Sequence, residues 1–313
     1  MQKFRDCLPL LGTDPFLCDG GLETTLVFHR GIDLPHFAAF PLLGTSEGRH
    51  ELEMYYSSYL QIARDHAVGF ILDTPTWRAN TDWGARLGYD AAALQEVNAD
   101  AAGFVARLRE QWEETGLVCV LNGVIGPHGD AYKDGNLEEG AAQKYHAPQV
   151  ETFAATEVDM VSAVTMNKVG EAIGIGRAAK AAGLPCVISF TVETDGRLID
   201  GTTLREAVER TEQALDGSPI CYMVNCAHPL HFEGAMGRGS PWTDRIQGIR
   251  ANASSKSHSE LDDSASLDIG DPADLADRYR VLSLDFPALK VFGGCCGTDH
   301  RHIQAIAAAV LSS

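Results

Sequence analysis

The 313-residue sequence contains no run of about 18 apolar residues, so no segment has the length of a membrane-spanning helix. Low-complexity tracts and a repeat period are also missing, which argues against a solenoid or a disordered tail. Positive charge is scarce: 25 Lys+Arg face 43 Asp+Glu, a formal net charge of -18. A field of that sign repels nucleic-acid phosphates and anionic headgroups, so neither nucleic acid nor a membrane surface is expected as a partner, whereas small cations are attracted. The first residues, MQKFRDCLPLLGTD, lack a long apolar core and a small-residue cleavage site, and a cytoplasmic protein is expected. Among eight cysteines there is no Cys-x-x-Cys pair, the arrangement that tunes redox dithiols.

What is present is alternation. Short apolar runs at Phe16–Cys18, Gly69–Leu72, Leu117–Leu121, Met160–Ala163, Cys186–Phe190, Ile220–Val224, Ile246–Ala251 and Ala288–Phe292 read as strands. Segments of helical period stand between them, including Ser46–Ala67, Asn98–Glu114, Glu139–Thr156, Lys168–Ala182, Leu204–Leu215, Asp274–Leu284 and His300–Leu311. About eight strand–helix units in strict order imply a parallel sheet wrapped by helices, and eight close into a (β/α)₈ TIM barrel. One domain over residues 1–313 is expected, with an open doubly wound sheet as the alternative. The Ser-rich stretch Ala251–Asp271, which includes Ser264, reads as one long surface loop.

Polar and glycine-rich clusters fall just after the strands: Asp19-Gly20-Gly21, Asp73-Thr74, Asn122-Gly123, Thr165, Thr191 with Glu193, Asn225-Cys226 and Gly293-Gly294-Cys295-Cys296. In a barrel the carboxyl ends of all strands converge on one face, where catalytic loops lie. The 69 residues between Cys226 and Cys295 are too many for a zinc knuckle, and only a barrel mouth would unite them. Three thiolates meeting there suit Zn²⁺ with an open fourth position. Three small buried cysteines satisfy the same spacing. Cys119, Cys186 and Cys221 lie inside apolar runs and read as core, and Cys18 is ambiguous. His228, His300 and His302 read as supports or helix caps rather than ligands, and Asp299 as the cap of the last helix.

The segments Asp19-Gly20-Gly21-Leu22-Glu23-Thr24, Gly123-Val124-Ile125-Gly126-Pro127, Val224-Asn225-Cys226 and Gly293-Gly294-Cys295-Cys296-Gly297-Thr298 resemble the homocysteine S-methyltransferase family. The likeness runs from about Asp19 to the last helix. It implies a (β/α)₈ barrel, a Zn²⁺ ion on Cys226, Cys295 and Cys296, and a homocysteine amino group held by Asp19. It also places Thr74 and Thr76 near the substrate, with Thr165 and Asn225 as further substrate-binding candidates, and Trp77 joins them because it follows Asp73-Thr74-Pro75-Thr76 on the strand-two loop. Two departures stand out. The family's Glu-Thr after strand four is Val164-Thr165 here, so the carboxylate that holds the substrate ammonium is missing, and Glu193 one strand along is the expected substitute. Glu23 replaces a small residue and joins the substrate-binding candidates.

The chemistry follows from the ion. A free thiol is mostly protonated near neutrality, and zinc removes that proton outright. The methyl donor must carry a good leaving group, so a sulfonium (S-methylmethionine or S-adenosylmethionine) or a betaine-type ammonium is expected. Onium ions favour π-faces, for which Phe28, Trp77, Tyr132 and Trp242 are candidates. The expected partners are thus a small-molecule thiol and an onium donor. Another thiol or selenol acceptor, a non-catalytic zinc-binding barrel and, last, a thiol-redox enzyme are the alternatives. Nothing in the sequence assigns an oligomeric state.

Overall fold

A computed structural model describes residues 3–132, 137–262 and 266–311. Eight parallel strands, β1 (Phe16–Leu17), β2 (Gly69–Asp73), β3 (Cys119–Ile125), β4 (Met160–Met166), β5 (Cys186–Phe190), β6 (Cys221–Asn225), β7 (Ile246–Ala251) and β8 (Val291–Gly294), pair in sequence order. The ring closes by pairing of β1 with β8, Phe16 opposite Val291. This is the expected (β/α)₈ barrel, and closure removes every sheet edge.

Helices Ser46–Asp65, Ala91–Glu113, Glu139–Ala154, Val169–Ala181, Leu204–Ala214, Pro272–Asp285 and His300–Leu311 form the outer layer. Their starts follow from short polar side chains in the sequence. Thr45 accepts from the Gly48 amide, Asp90 from Ala93, and Thr203 with Glu206 makes a reciprocal capping box. Only a one-turn helix, Pro229–Phe232, and a 3₁₀ turn, Thr243–Arg245, stand between β6 and β7. No described helix is long and apolar enough to cross a membrane.

The strand period of two divides the barrel interior into layers. Low in the barrel, Phe16, Cys18, Ile71, Val120, Met160, Val187, Cys221, Met223 and Val291 form an apolar plug. Two residues further along the strands the inward positions turn polar: Asp73, Asn122, Ser162, Ser189, Asn225 and Arg250. Asn122 Nδ2 donates to Asp73 Oδ1 (2.7 Å), and Ser162 Oγ donates to Asn122 Oδ1 (2.9 Å). Ser189 Oγ donates to Asn225 Oδ1 (2.6 Å). Buried polar groups survive only when partnered, and this belt partners itself.

Several expected boundaries shift. β3 runs on to Ile125 and β4 to Met166, so Asn122 and Thr165 lie inside strands rather than after them. Both extensions are buried throughout, which a mixed polar pattern conceals. The register of β4 on β5 slips between Ala163 and Met166, a bulge that re-aims Val164 and Thr165 at the mouth. The stretch 251–271 is not one open loop: it contains helix His258–Asp262, and Ser264 lies outside the described residues.

Candidate metal centre

Above the belt, at the carboxyl ends of the strands, a cavity of about 460 Å³ opens between the loops. Cys226, Cys295 and Cys296 line it, with every pair of sulfurs within 4.8 Å. All eight cysteines are free thiols. Cys119 and Cys186 are buried between sheet and helices and Cys18 and Cys221 in the plug; burial pushes the thiols of Cys119, Cys186 and Cys221 up to about 12.

Cys7 is exposed, and the backbone fixes the sulfurs of Cys226, Cys295 and Cys296. Cys226 sits at φ 57°, in the left-handed region where a side chain costs about 1–3 kcal/mol. Its amide donates to the Arg250 carbonyl (3.0 Å), and its own carbonyl accepts from Asn252 Nδ2 (2.9 Å) and His258 Nε2 (2.6 Å). Thr165, at φ 61°, is held by Asn225: the Thr165 amide donates to Asn225 Oδ1 and Asn225 Nδ2 donates to Thr165 Oγ1, both 2.9 Å. The cysteine pair is pinned between β1 and β7, since Gly294 N donates to Asp19 O and Cys295 N to Ala251 O (2.8 Å each). Two glycines make that packing possible. A Cβ on Gly21 would stand 2.7 Å from Cys295 O; one on Gly297 (φ 80°) would stand 2.6 Å from Asp268 O.

These sulfurs fit a metal ion. Two thiolates on one tetrahedral zinc, each about 2.3 Å from it, lie about 3.8 Å apart. Cys226 Sγ and Cys296 Sγ are 3.8 Å apart. Without a cation they share protons: thiol donors from Cys226 and Cys296 hold Cys295 well below the ordinary thiol range, and the donors themselves are pushed above it. A divalent cation would let all three ionise. No histidine, aspartate, glutamate or further cysteine joins the cluster among the described residues. His228 caps helix Pro229–Phe232, His302 accepts from the Asp299 amide (3.1 Å), and His300 is exposed. Asp299 caps the last helix as expected, Oδ1 accepting from Arg301 N (2.9 Å).

The substrate-binding candidates divide. Thr74, Thr76, Trp77, Thr165, Asn225, Glu23 and Asp19 all line the cavity. Thr74 Oγ1 accepts from Val124 N (2.9 Å) and Thr76 Oγ1 donates to Val124 O (2.7 Å), so both clip the β2 loop to β3. Asp19 is engaged: Arg250 donates to it and to Asp73, and Tyr55 Oη adds a bond of 3.1 Å. Burial, opposed by Arg250, raises Asp19 above the ordinary carboxylate range. Glu193 is not among the residues lining the cavity. It pairs with His258 Nδ1 (3.0 Å), and the His258 ring in turn packs at a tilt against Tyr132, 4.5 Å between ring centres. Against the desolvation of its own ring, Glu193 and the Cys226 carbonyl keep His258 above the usual imidazole range. Tyr132 Oη lies 2.8 Å from Cys226 Sγ. Of the aromatic candidates, Phe28, Trp77 and Tyr132 line the cavity, whereas Trp242 is packed in the core.

Arg250, Arg78 and His258 have no role in the sequence reading. Arg250 carried a signal: a full charge on an inward strand position, two residues after Gly248. His258 was hidden among serines. Arg78 follows Trp77 directly and lies over the rings of Trp77 and Trp83, 4.9 and 4.0 Å from their centres.

The pattern that defines the homocysteine S-methyltransferase family matches residues 16–310. A comparison with curated proteins finds no significant match. Among solved structures, the homocysteine methyltransferase MmuM from Escherichia coli in its metallated form is 22% identical, covering 94% of this chain and 96% of that one, with a TM-score of 0.74. Its oxidized form is 21% identical over 98% and 99% of the two chains, with a TM-score of 0.77. At such identities the structural likeness speaks for the fold, and the family rests on the match along the sequence. The chain belongs to the homocysteine S-methyltransferase family.

Proposed function

We propose that this protein is a zinc-dependent S-methyltransferase that moves a methyl group from an onium donor, S-methylmethionine or S-adenosylmethionine, to homocysteine to give methionine. The observation that carries the reading is the convergence of Cys226, Cys295 and Cys296 at one end of the cavity, with room for a substrate beside them. Cys226, Cys295 and Cys296 would hold the zinc ion. When bound, it supplies a site where a substrate thiol is kept as its thiolate at neutral pH.

The chain's own groups do the rest. Asn225 holds Thr165, and Arg250, Asn252 and His258 hold the Cys226 backbone, so its sulfur does not have to be reorganised when substrate arrives. The rings of Trp77, Tyr132 and Phe28 offer π-faces to an onium group. In the transfer, the acceptor S–C bond forms as the onium–C bond breaks, and the electron pair of that bond leaves with the neutral donor remnant.

Val164 and the engagement of Asp19 by Arg250 favour a second reading, the same chemistry on a different thiol or selenol. The test is turnover by zinc-loaded protein with homocysteine and a panel of onium donors that includes betaine. Methionine formation with a sulfonium donor is expected. No methionine with any donor removes homocysteine as the acceptor.

A further inference from the structure

An α-amino-acid thiol presents three groups: the sulfur, an ammonium and a carboxylate. In this cavity the two carboxylates nearest the barrel axis are already spoken for. Asp19 and Asp73 share Arg250, and Asn122 donates to Asp73 as well. Residue 164 is a valine, and Glu193 stands outside, tied to His258. Two charged groups that face the cavity have no such partner. Among the described residues, the Glu23 carboxylate makes no hydrogen bond or ion pair with another side chain. The Arg78 guanidinium spends one nitrogen on the His36 carbonyl and one face on Trp83, and it has no carboxylate in contact.

Both line the same cavity as Cys226, Cys295 and Cys296. Desolvation raises Glu23 to about 7 and lowers Arg78 below the usual guanidinium value, as expected of charges held apart from counter-ions. A half-buried anion and a half-buried cation that face one cavity, and are not paired with each other, are complementary to a zwitterion. Binding one would satisfy both.

We infer that Glu23 holds the ammonium and Arg78 the carboxylate of an α-amino-acid thiol whose sulfur sits at Cys226, Cys295 and Cys296, so that Glu23 does the work of the carboxylate missing at position 164. The sulfur-to-α-carbon spacer of such a ligand is short, so its head stays within the cavity that the three cysteines share with Glu23 and Arg78. This inference rests on the methyl-transfer reading for the identity of its ligand but is testable without turnover.

The experiment is calorimetric binding to zinc-loaded protein, wild type beside Glu23→Gln, with three probes: homocysteine, 4-mercaptobutyrate (no ammonium) and 3-aminopropanethiol (no carboxylate). Glu23→Gln is expected to weaken homocysteine and 3-aminopropanethiol at least tenfold and to leave 4-mercaptobutyrate unchanged. Arg78→Gln should do the converse, weakening homocysteine and 4-mercaptobutyrate only, and Glu23→Asp, which keeps the charge, should retain most of the homocysteine affinity. That pattern supports the inference even if no donor yields methionine, in which case the methyl-transfer reading fails alone. Equal weakening of all three thiols by Glu23→Gln, no weakening of homocysteine, or a rise in KM confined to the onium donor overturns it.

Discussion

Strand β6 carries two cysteine environments within six residues. Cys221 belongs to the plug with Phe16, Val187 and Met223, and burial, opposed by Lys290 and Arg245, raises its thiol. Cys226 follows the end of the same strand, with Tyr132 and Cys296 against its sulfur and a backbone held at positive φ. The lower half of the barrel is stable because it is apolar. The upper half is poised for chemistry because its charges are fixed by one another rather than by water. The contrast shows that the same residue type is inert or metal-competent according to its layer, and that the layer is set by counting along the strand.

Substitutions at equivalent heights should separate the two halves. The largest effect is expected from Cys296→Ser: bound zinc falls below one equivalent by elemental analysis, and turnover drops about 10³-fold, the rate equivalent of several kcal/mol of lost Lewis-acid assistance. Cys221→Ala should keep full zinc and lose only about 1–2 kcal/mol of stability. Zinc loss from Cys221→Ala with retention in Cys296→Ser would break the comparison.

Next comes the cation of the belt. Arg250→Met leaves Asp19 and Asp73 buried without their partner and should cost about 3–5 kcal/mol in denaturant melts at neutral pH. The sign with pH follows from burial. Asp19, which burial already raises, titrates higher when folded than when unfolded once Arg250 is gone, so the folded state binds more protons. The penalty is therefore smallest below pH about 4, the ordinary carboxylate range, and grows as pH rises through the raised folded value. A penalty independent of pH would mean that the acids are not the cause.

Asn225→Ala tests the support of the sulfurs. It frees Thr165 and unties the residue that precedes Cys226 from Ser189, and zinc affinity measured by competition with a chelator should fall about 10–100-fold. Met223→Ala, one inward position lower, should cost about 2–5 kcal/mol of stability with zinc affinity unchanged. The smallest effect is expected at the rim. Asp299 is held below the ordinary carboxylate range, desolvation being outweighed by bonds from His302 and Arg301. Its contribution, about 1 kcal/mol as a helix cap, is present above pH about 4 and is lost as pH falls below it. Asp299→Asn should flatten the acid side of the stability profile, and an unchanged acid limb in melts from pH 3 to 6 would rule that out.

The barrel was readable because each unit repeats the same change of hydrophobic period, and such local repetition survives in a bare sequence. The cysteine triad was readable only jointly, from Asn-Cys after one strand and Gly-Gly-Cys-Cys after another. What escaped was whatever depends on contact between distant segments. Arg250 finds Asp73 and Asp19 across 177 and 231 residues, so its partners cannot be inferred from its neighbours. The β4 bulge, which aims Val164 and Thr165 at the mouth, leaves no mark in an apolar run. Glu193 was expected in the cavity because it follows β5. The helix His258–Asp262 instead interposes His258, and a serine-rich stretch gives no warning of a buried imidazole.

The plug has one more consequence. It stops the barrel from being a passage, and among the described residues the cavity above it is lined by the loops at the carboxyl ends of the strands. Under the proposed methyl transfer, two reactants that enter from that side would queue. The one seated deepest would arrive first and depart last, its exit waiting on the clearing of whatever lies above.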